Sequence, residues 1–160
     1  MKALITKISA ILLIVATLGI ALVSCDATIT PSVLIGIKNA DGVYDESIEN
    51  VVLGETFQCA VQLSMFTNKS AAEEYKVVVE FTNAEVDTIG GAISNSNTIN
   101  ENVTAFEYTI WGSKMAEKQT LHFEAVPLSE GVVTVTVMIY DKDGLPVNPG
   151  YDKTIKIKTN

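Results

Sequence analysis

Strict alternation of apolar and polar residues is the feature that most constrains how this chain can fold. Over residues 55–66 one side of the alternation is apolar: Phe57, Cys59, Val61, Leu63 and Met65. The alternation recurs over residues 75–82, 120–125 and 132–140. Because successive side chains of a strand point to opposite faces, a period of two is typical of half-buried β-strands. At 133–139 the reverse face is also partly apolar, which predicts a central strand.

Turn signals separate these segments, namely Asp41-Gly42, Gly90-Gly91, Glu130-Gly131, Asp143-Gly144 and Pro149-Gly150. Weaker strand candidates lie at 32–38, 104–111 and 154–158, and the short segment 68–74 predicts no more than a turn. Many short strands with regular turns favour an all-β fold. We therefore expect a single antiparallel β-sandwich of about seven to eight strands over residues 26–160.

The first 25 residues differ from the rest in composition. Residues 8–23 are almost entirely Ile, Leu, Val and Ala, and they follow Lys2 and Lys7. This run is shorter than the ~20 apolar residues that cross a bilayer, and it suits the apolar part of a secretory signal. The pattern predicts a signal helix over residues 1–25, with an uncleaved membrane anchor as the alternative.

The end of this segment resembles the lipobox of bacterial lipoproteins, since Leu22-Val23-Ser24-Cys25 precedes polar Asp26. The resemblance implies that Cys25 is lipidated and that acyl chains such as palmitate hold the protein to the extracytoplasmic side of the cell membrane. Two or more chains, at ~0.8 kcal/mol per buried methylene, hold a protein stably. The chain has two cysteines. A Cys25–Cys59 disulfide is therefore the alternative in an oxidising compartment.

Charge excludes one class of partner. The chain has 11 basic residues, all lysine, and 19 acidic ones, and residues 1–25 hold two of the lysines and none of the acids. Residues 26–160 therefore carry nine positive and 19 negative groups, a formal charge of −10. Such a surface repels phosphate backbones, so we expect no nucleic-acid partner.

Two stretches resemble bacterial immunoglobulin-like and cohesin-like modules. They are VLGET at residues 52–56, which leads into a long alternating strand, and SEGVVTV at 129–135, which leads to YDKDG at 140–144. The resemblance implies an immunoglobulin-like sandwich. The chain departs from the immunoglobulin pattern because no cysteine at 133–139 can pair with Cys59, and Trp111 is not on the strand of the core tryptophan. The resemblance extends to architecture, which does not carry function.

Candidate catalytic groups are few. His122 is the sole histidine, and the alternation places it on the polar side of its strand. No nucleophile elbow, Walker loop or zinc-type cluster occurs in the sequence. We therefore expect a protein that is not an enzyme.

Candidate binding residues lie in three groups. Asp141 and Asp143 place two carboxylates on a tight turn, and Asp41, Asp45, Glu46 and Glu49 form another acidic loop. Such oxygen ligands suit Ca²⁺, and no other cofactor is predicted, whereas a simple hairpin turn is the alternative. Residues 90–102 form a polar recognition or mobile loop that contains Asn95, Asn97, Asn100 and Asn102. Tyr44, Trp111 and Tyr151 are candidates for sugar stacking or for packing at the sandwich rim.

These patterns predict a lipid-anchored, extracytoplasmic bacterial lipoprotein of the cell envelope with a non-catalytic binding or structural module. Its partner would be a protein or a polysaccharide. A carbohydrate- or Ca²⁺-binding sandwich is the first alternative. An accessory subunit of an envelope hydrolase is the second.

Overall fold

The computed structural model describes residues 32–64, 74–89, 95–100, 102–111, 118–147 and 150–159, which form strands and turns. The eleven strands in this part of the chain are β1 Ser32–Lys38, β2 Tyr44–Asp45, β3 Asn50–Val52, β4 Phe57–Ser64, β5 Glu74–Thr82, β6 Ala84–Ile89, β7 Asn95–Asn100, β8 Val103–Trp111, β9 Gln119–Pro127, β10 Val132–Tyr140 and β11 Tyr151–Lys158.

The strands form two sheets. A five-stranded sheet has the order β2-β1-β4-β9-β6, and a six-stranded sheet has the order β3-β11-β10-β5-β8-β7. The neighbouring strands described are antiparallel except β3 and β11, which are parallel. The prediction of an all-β antiparallel sandwich is confirmed. The strand number exceeds the predicted seven to eight because β2 and β3 are too short to show a period, and β6 and β7 were not predicted.

The side chains of β4 and β10 that the alternation predicts to face the core are buried in the structure. Val133, Val135, Val137 and Ile139 of β10 are fully buried, and β10 lies between β5 and β11 as a central strand should. Aromatic rings join the two sheets across the core. The ring centroid of Phe123 in the five-stranded sheet lies 5.0 Å from that of Phe81 and 5.3 Å from that of Phe106 in the six-stranded sheet. Tilted aromatic contacts of this kind stabilise the core beyond the area they bury.

Strand directions define two ends of the sandwich. Asn83 alone connects β5 to β6, so β5 ends and β6 begins at one end, which we call the Asn83 end. The antiparallel pairings then place the start of β1 at the other end, together with the start of β5 and the ends of β8 and β10. We call this the Ser32 end.

Asn83 ties the turns at its end together. Its backbone has a φ of 62°, in the left-handed region that Asn tolerates better than most residues. Its side-chain Nδ2 donates to the carbonyls of Ser129 and Val132 at 3.0 and 3.1 Å, and its Oδ1 accepts from the Ser129 hydroxyl at 2.7 Å. Its backbone N–H donates to the carbonyl of Asn102 at 2.6 Å. One residue therefore holds the β5–β6, β7–β8 and β9–β10 connections in a fixed arrangement.

Candidate functional site

The predicted lipidation site, Cys25, lies outside the described residues, as does the rest of residues 1–31. Cys59 is a free thiol on the inner face of β4 and is fully buried. Burial raises the pKa of the Cys59 thiol from 9.0 to about 12. Because the reactive form of cysteine is the thiolate, this side chain acts as a small apolar core residue at neutral pH.

The predicted calcium residues Asp141 and Asp143 lie on the turn after β10. Asp141 Oδ1 accepts hydrogen bonds from the backbone N–H groups of Asp143 and Leu145 at 2.9 and 2.8 Å. The Asp143 carboxylate lies 2.7 Å from the Lys142 ammonium. Among the described residues, no group of three or more His, Cys, Asp or Glu side chains is placed to hold a metal ion. Calcium binding stays a prediction.

A second turn repeats this geometry without the carboxylate. After β1, Asn39 Oδ1 accepts from the backbone N–H groups of Asp41 and Val43 at 3.0 and 2.9 Å. The backbone N–H of Gly42 donates to the Asn39 carbonyl, and that of Gly144 donates to the Asp141 carbonyl, each at 3.0 Å. Gly42 and Gly144 have φ values of 81° and 78°, a conformation that glycine adopts at little cost. The amide oxygen of Asn39 accepts the same two backbone N–H groups as the carboxylate of Asp141 does. The hydrogen bonds of Asp141 are therefore explained by the formation of the turn alone.

The other acidic loop is also tied locally. Asp45 Oδ1 accepts from the backbone N–H and the hydroxyl of Ser47 at 2.7 and 2.6 Å. Both hydrogen bonds lower the pKa of the Asp45 carboxyl, and the one from the Ser47 hydroxyl has the larger effect. Lys153 Nζ donates to the carbonyl of Glu46 at 2.5 Å. This loop is therefore connected to β11 through a lysine.

The prediction of one long polar loop over residues 90–102 is wrong in part. Residues Asn95–Asn100 form β7, which pairs with β8 at the edge of the six-stranded sheet. The register joins Asn95 to Glu107 and Asn97 to Ala105, with an irregularity between Thr98 and Asn100. Asn102 lies in the following turn. The pairing with β8 overrides the weak strand propensity of asparagine.

The three candidate stacking aromatics lie on three different strands. Tyr44 belongs to the edge of the five-stranded sheet and Trp111 to the end of β8 in the six-stranded sheet. Tyr151 begins β11 and lines a depression of about 240 Å³, which shares the lining residues Leu34 and Glu46 with a smaller one at Tyr44. The structure does not gather these three residues into one platform.

Tyr44 instead contacts His122 on the outer face of the five-stranded sheet. The Tyr44 hydroxyl lies 3.0 Å from His122 Nδ1, and the two ring centroids are 5.1 Å apart. The small residues Gly36 and Ala60 lie on the strands between them, and a Cβ at Gly36 would meet Tyr44 Cβ at 3.2 Å. Desolvation is the main cause that raises the pKa of the Tyr44 phenol. His122 is on the predicted face, but it is part-buried by this contact.

Polar side chains continue across the same face. Lys38 Nζ donates to Gln58 Oε1 at 2.8 Å, and Gln58 Nε2 donates to Glu124 Oε1 at 2.9 Å. Three strands are thus bridged by hydrogen bonds among their own side chains. The space left beside Tyr44 is about 30 Å³, far below the size of a typical ligand pocket.

The outer face of the six-stranded sheet carries a much larger depression, which we call the sheet groove. Its volume is about 620 Å³, and it is lined by Glu74, Tyr75, Lys76 and Val78 of β5, Glu107 and Thr109 of β8, and Tyr140, Asp141, Lys142 and Gly144 at the end of β10. Lys76 Nζ lies 3.1 Å from Glu107 Oε1 and 5.8 Å from the centroid of the Tyr140 ring. The groove therefore contains charged, hydrogen-bonding and aromatic groups.

One aromatic residue, Tyr140, lines the groove at the Ser32 end, and Trp111 lies beside the lining residue Glu74 on the next strand. Tyr140 is the cross-strand partner of Lys76, and Trp111 is the partner of Glu74. Trp111 is 49% exposed. Tyr140 was not predicted as a site residue because its alternation shows only that it belongs to the reverse face of β10. The strand order β10-β5-β8 supplies the missing information.

No family model matches the sequence, and no curated protein matches it. Among solved structures, the cohesin module of a Clostridium perfringens family 33 glycoside hydrolase is 14% identical over 82% of this chain and 100% of its own, with a TM-score of 0.47. The major pilin subunit of Bacillus cereus is 14% identical over 82% of this chain and 41% of its own, with a TM-score of 0.48.

A conjugative transposon lipoprotein from Bacteroides eggerthii is 12% identical over 83% of this chain and 99% of its own, with a TM-score of 0.37. Because these TM-scores are below 0.5, the β-sandwich fold is assigned from the two sheets and their shared core and not from these similarities. Within the described residues, no helix has the length and apolar character needed to cross a membrane.

Proposed function

We propose that this chain is a lipid-anchored, non-catalytic binding module on the extracytoplasmic side of a bacterial membrane. The observation that carries the binding role is the sheet groove, with a volume of about 620 Å³ on a face built from three neighbouring strands. Ligand sites are typically concave regions with a few placed polar groups on a rigid support. The lipobox resemblance at Cys25 supports the anchor.

The topology relates the proposed anchor to the groove. β1 begins at the Ser32 end, where Tyr140 and Trp111 also lie. Six residues, 26–31, separate Cys25 from Ser32, and at about 3.5 Å per residue they reach roughly 20 Å. In the proposed protein the Ser32 end of the sandwich therefore lies within roughly 20 Å of the anchored cysteine.

The anchor is tested by mass spectrometry of the full-length protein extracted from bacterial membranes. We expect a mature N-terminus at Cys25 that carries the acyl mass, and we expect Cys25→Ala to move the protein out of the lipid-modified fraction. Cys59→Ala is the matched control and should leave the modification intact, because Cys59 is buried in the core. An unmodified Cys25 or an intact Met1 terminus in the extracted protein would overturn the anchor.

A further inference from the structure

We infer that the sheet groove binds a neutral polysaccharide chain, with the rings of Tyr140 and Trp111 stacking on two of its sugar units. This inference rests on the binding role proposed above and is independent of the lipid anchor. Sugar rings present apolar faces of C–H groups and polar rims of hydroxyl groups. A site for them needs aromatic surfaces together with paired donors and acceptors.

The spacing of the two aromatic residues fits a chain of sugars. Tyr140 pairs with Lys76, Lys76 pairs with Thr109, and Trp111 follows two residues after Thr109 on β8. Two strand spacings across the sheet and two residues along it separate the Cα atoms of Tyr140 and Trp111 by about 12 Å. Two or three linked sugar rings span such a distance.

Polar groups between the aromatic residues suit adjacent hydroxyl groups. Lys76 Nζ and Glu107 Oε1 are 3.1 Å apart, and their side chains are 49% and 37% exposed. An ammonium offers only donors and a carboxylate only acceptors, whereas each sugar hydroxyl is both. Neighbouring hydroxyls can therefore donate to Glu107 and accept from Lys76, and Thr109 adds a third polar group to the groove lining.

Charge disfavours an anionic polysaccharide. The groove lining has three acidic residues, Glu74, Glu107 and Asp141, against the two lysines Lys76 and Lys142. The whole chain has a formal net charge of −8 at pH 7. This field repels uronic-acid and phosphate-bearing polymers.

The test is affinity electrophoresis of the full-length protein, solubilised in a polyoxyethylene detergent that carries no sugar. Native gels contain hydroxyethyl cellulose, glucomannan, xylan or dextran, and polygalacturonate serves as the anionic comparison. We expect at least one neutral polymer to retard the protein. Tyr140→Ala and Trp111→Ala should each weaken this retardation about tenfold, the loss of about one stacking contact. Retardation by none of the neutral polymers, or by polygalacturonate alone, overturns the inference.

Controls separate a lost contact from a lost fold. Val132→Ala removes an exposed apolar side chain from the other end of the same strand as Tyr140 and should leave retardation unchanged. Tyr140→Phe and Trp111→Phe keep an aromatic face and should retain most of the binding. Equal retardation of the alanine variants and the parent protein overturns the assignment to the groove. An absent acyl mass on Cys25 would remove the anchor and leave this result standing.

Discussion

The two outer faces of the sandwich are built from strands with the same alternation, yet their side chains are arranged differently. On the five-stranded sheet, Tyr44 packs beside Gly36 and reaches His122, and the space beside it is about 30 Å³. On the six-stranded sheet, Tyr140 lines a groove of about 620 Å³, and Trp111 is the cross-strand partner of Glu74 in that groove. Small residues beneath a large one close a face. The open outer face of the six-stranded sheet carries a groove instead.

The largest expected effect comes from the core that both faces share. Val135→Asp places a charge at a fully buried position of β10, and an unpaired buried charge costs several kcal/mol, enough to unfold an ordinary domain. Val135→Ala should cost about 2 kcal/mol through lost methyl burial and a small cavity. The outward-facing neighbour is the control, since Thr134→Ala should be close to neutral. Urea unfolding measures these changes, and equal tolerance at 134 and 135 would contradict the register.

Alkaline pH should destabilise the five-stranded sheet through its buried thiol. The pKa of Cys59 is raised from 9.0 to about 12 by burial, so the native state holds the proton more tightly than the unfolded chain does. The associated stability is complete below pH 9 and is lost as the pH rises toward 12. We expect the free energy of unfolding to fall over this range, with a smaller fall in Cys59→Ala. Identical pH profiles for the two proteins would show that the thiol is not buried.

Substitutions on the two faces should separate stability from binding. Tyr44→Ala removes a ring contact and a hydrogen bond on the closed face, and we expect a loss of about 1–2 kcal/mol in thermal or urea unfolding. Trp111→Ala on the open face should change stability by less than about 0.5 kcal/mol because the side chain is exposed. The reverse order of the two stability losses would mean that the faces have been assigned the wrong roles.

The smallest expected effect is at the turn beside the groove. Asp141→Asn should keep the turn, because Asn39 makes the same pair of hydrogen bonds with an amide oxygen. We expect a melting temperature within about 1–2 °C of the parent protein, which corresponds to a few tenths of a kcal/mol. Melts with and without calcium check the metal prediction. A calcium-dependent rise that Asp141→Asn abolishes would show that the carboxylate binds the ion.

The alternation of apolar and polar residues was sufficient to predict which side chains face the core. It was insufficient to predict the sheet groove. The alternation at 133–139 and 57–63 predicted which side chains are buried, because period two follows from strand geometry alone. β7 was not predicted, since asparagine favours turns and only pairing with β8 makes the segment a strand. Tyr140 and Trp111 come together through the order β10-β5-β8, which no local pattern contains. Fold class was therefore accessible from the sequence, and so were Trp111 and Asp141 as single candidates, but the groove that Tyr140 lines was not.

The most direct test is the binding constant of two variants for the neutral polysaccharide that retards the full-length protein most strongly. Affinity electrophoresis at graded polymer concentrations yields this constant for Tyr44→Ala and Trp111→Ala at a temperature where both are folded. If the closed and open faces have the roles described, Tyr44→Ala binds as the parent protein does and Trp111→Ala binds about tenfold more weakly. Weakened binding in Tyr44→Ala together with unchanged binding in Trp111→Ala would place the ligand on the five-stranded sheet and contradict the assignment of the groove.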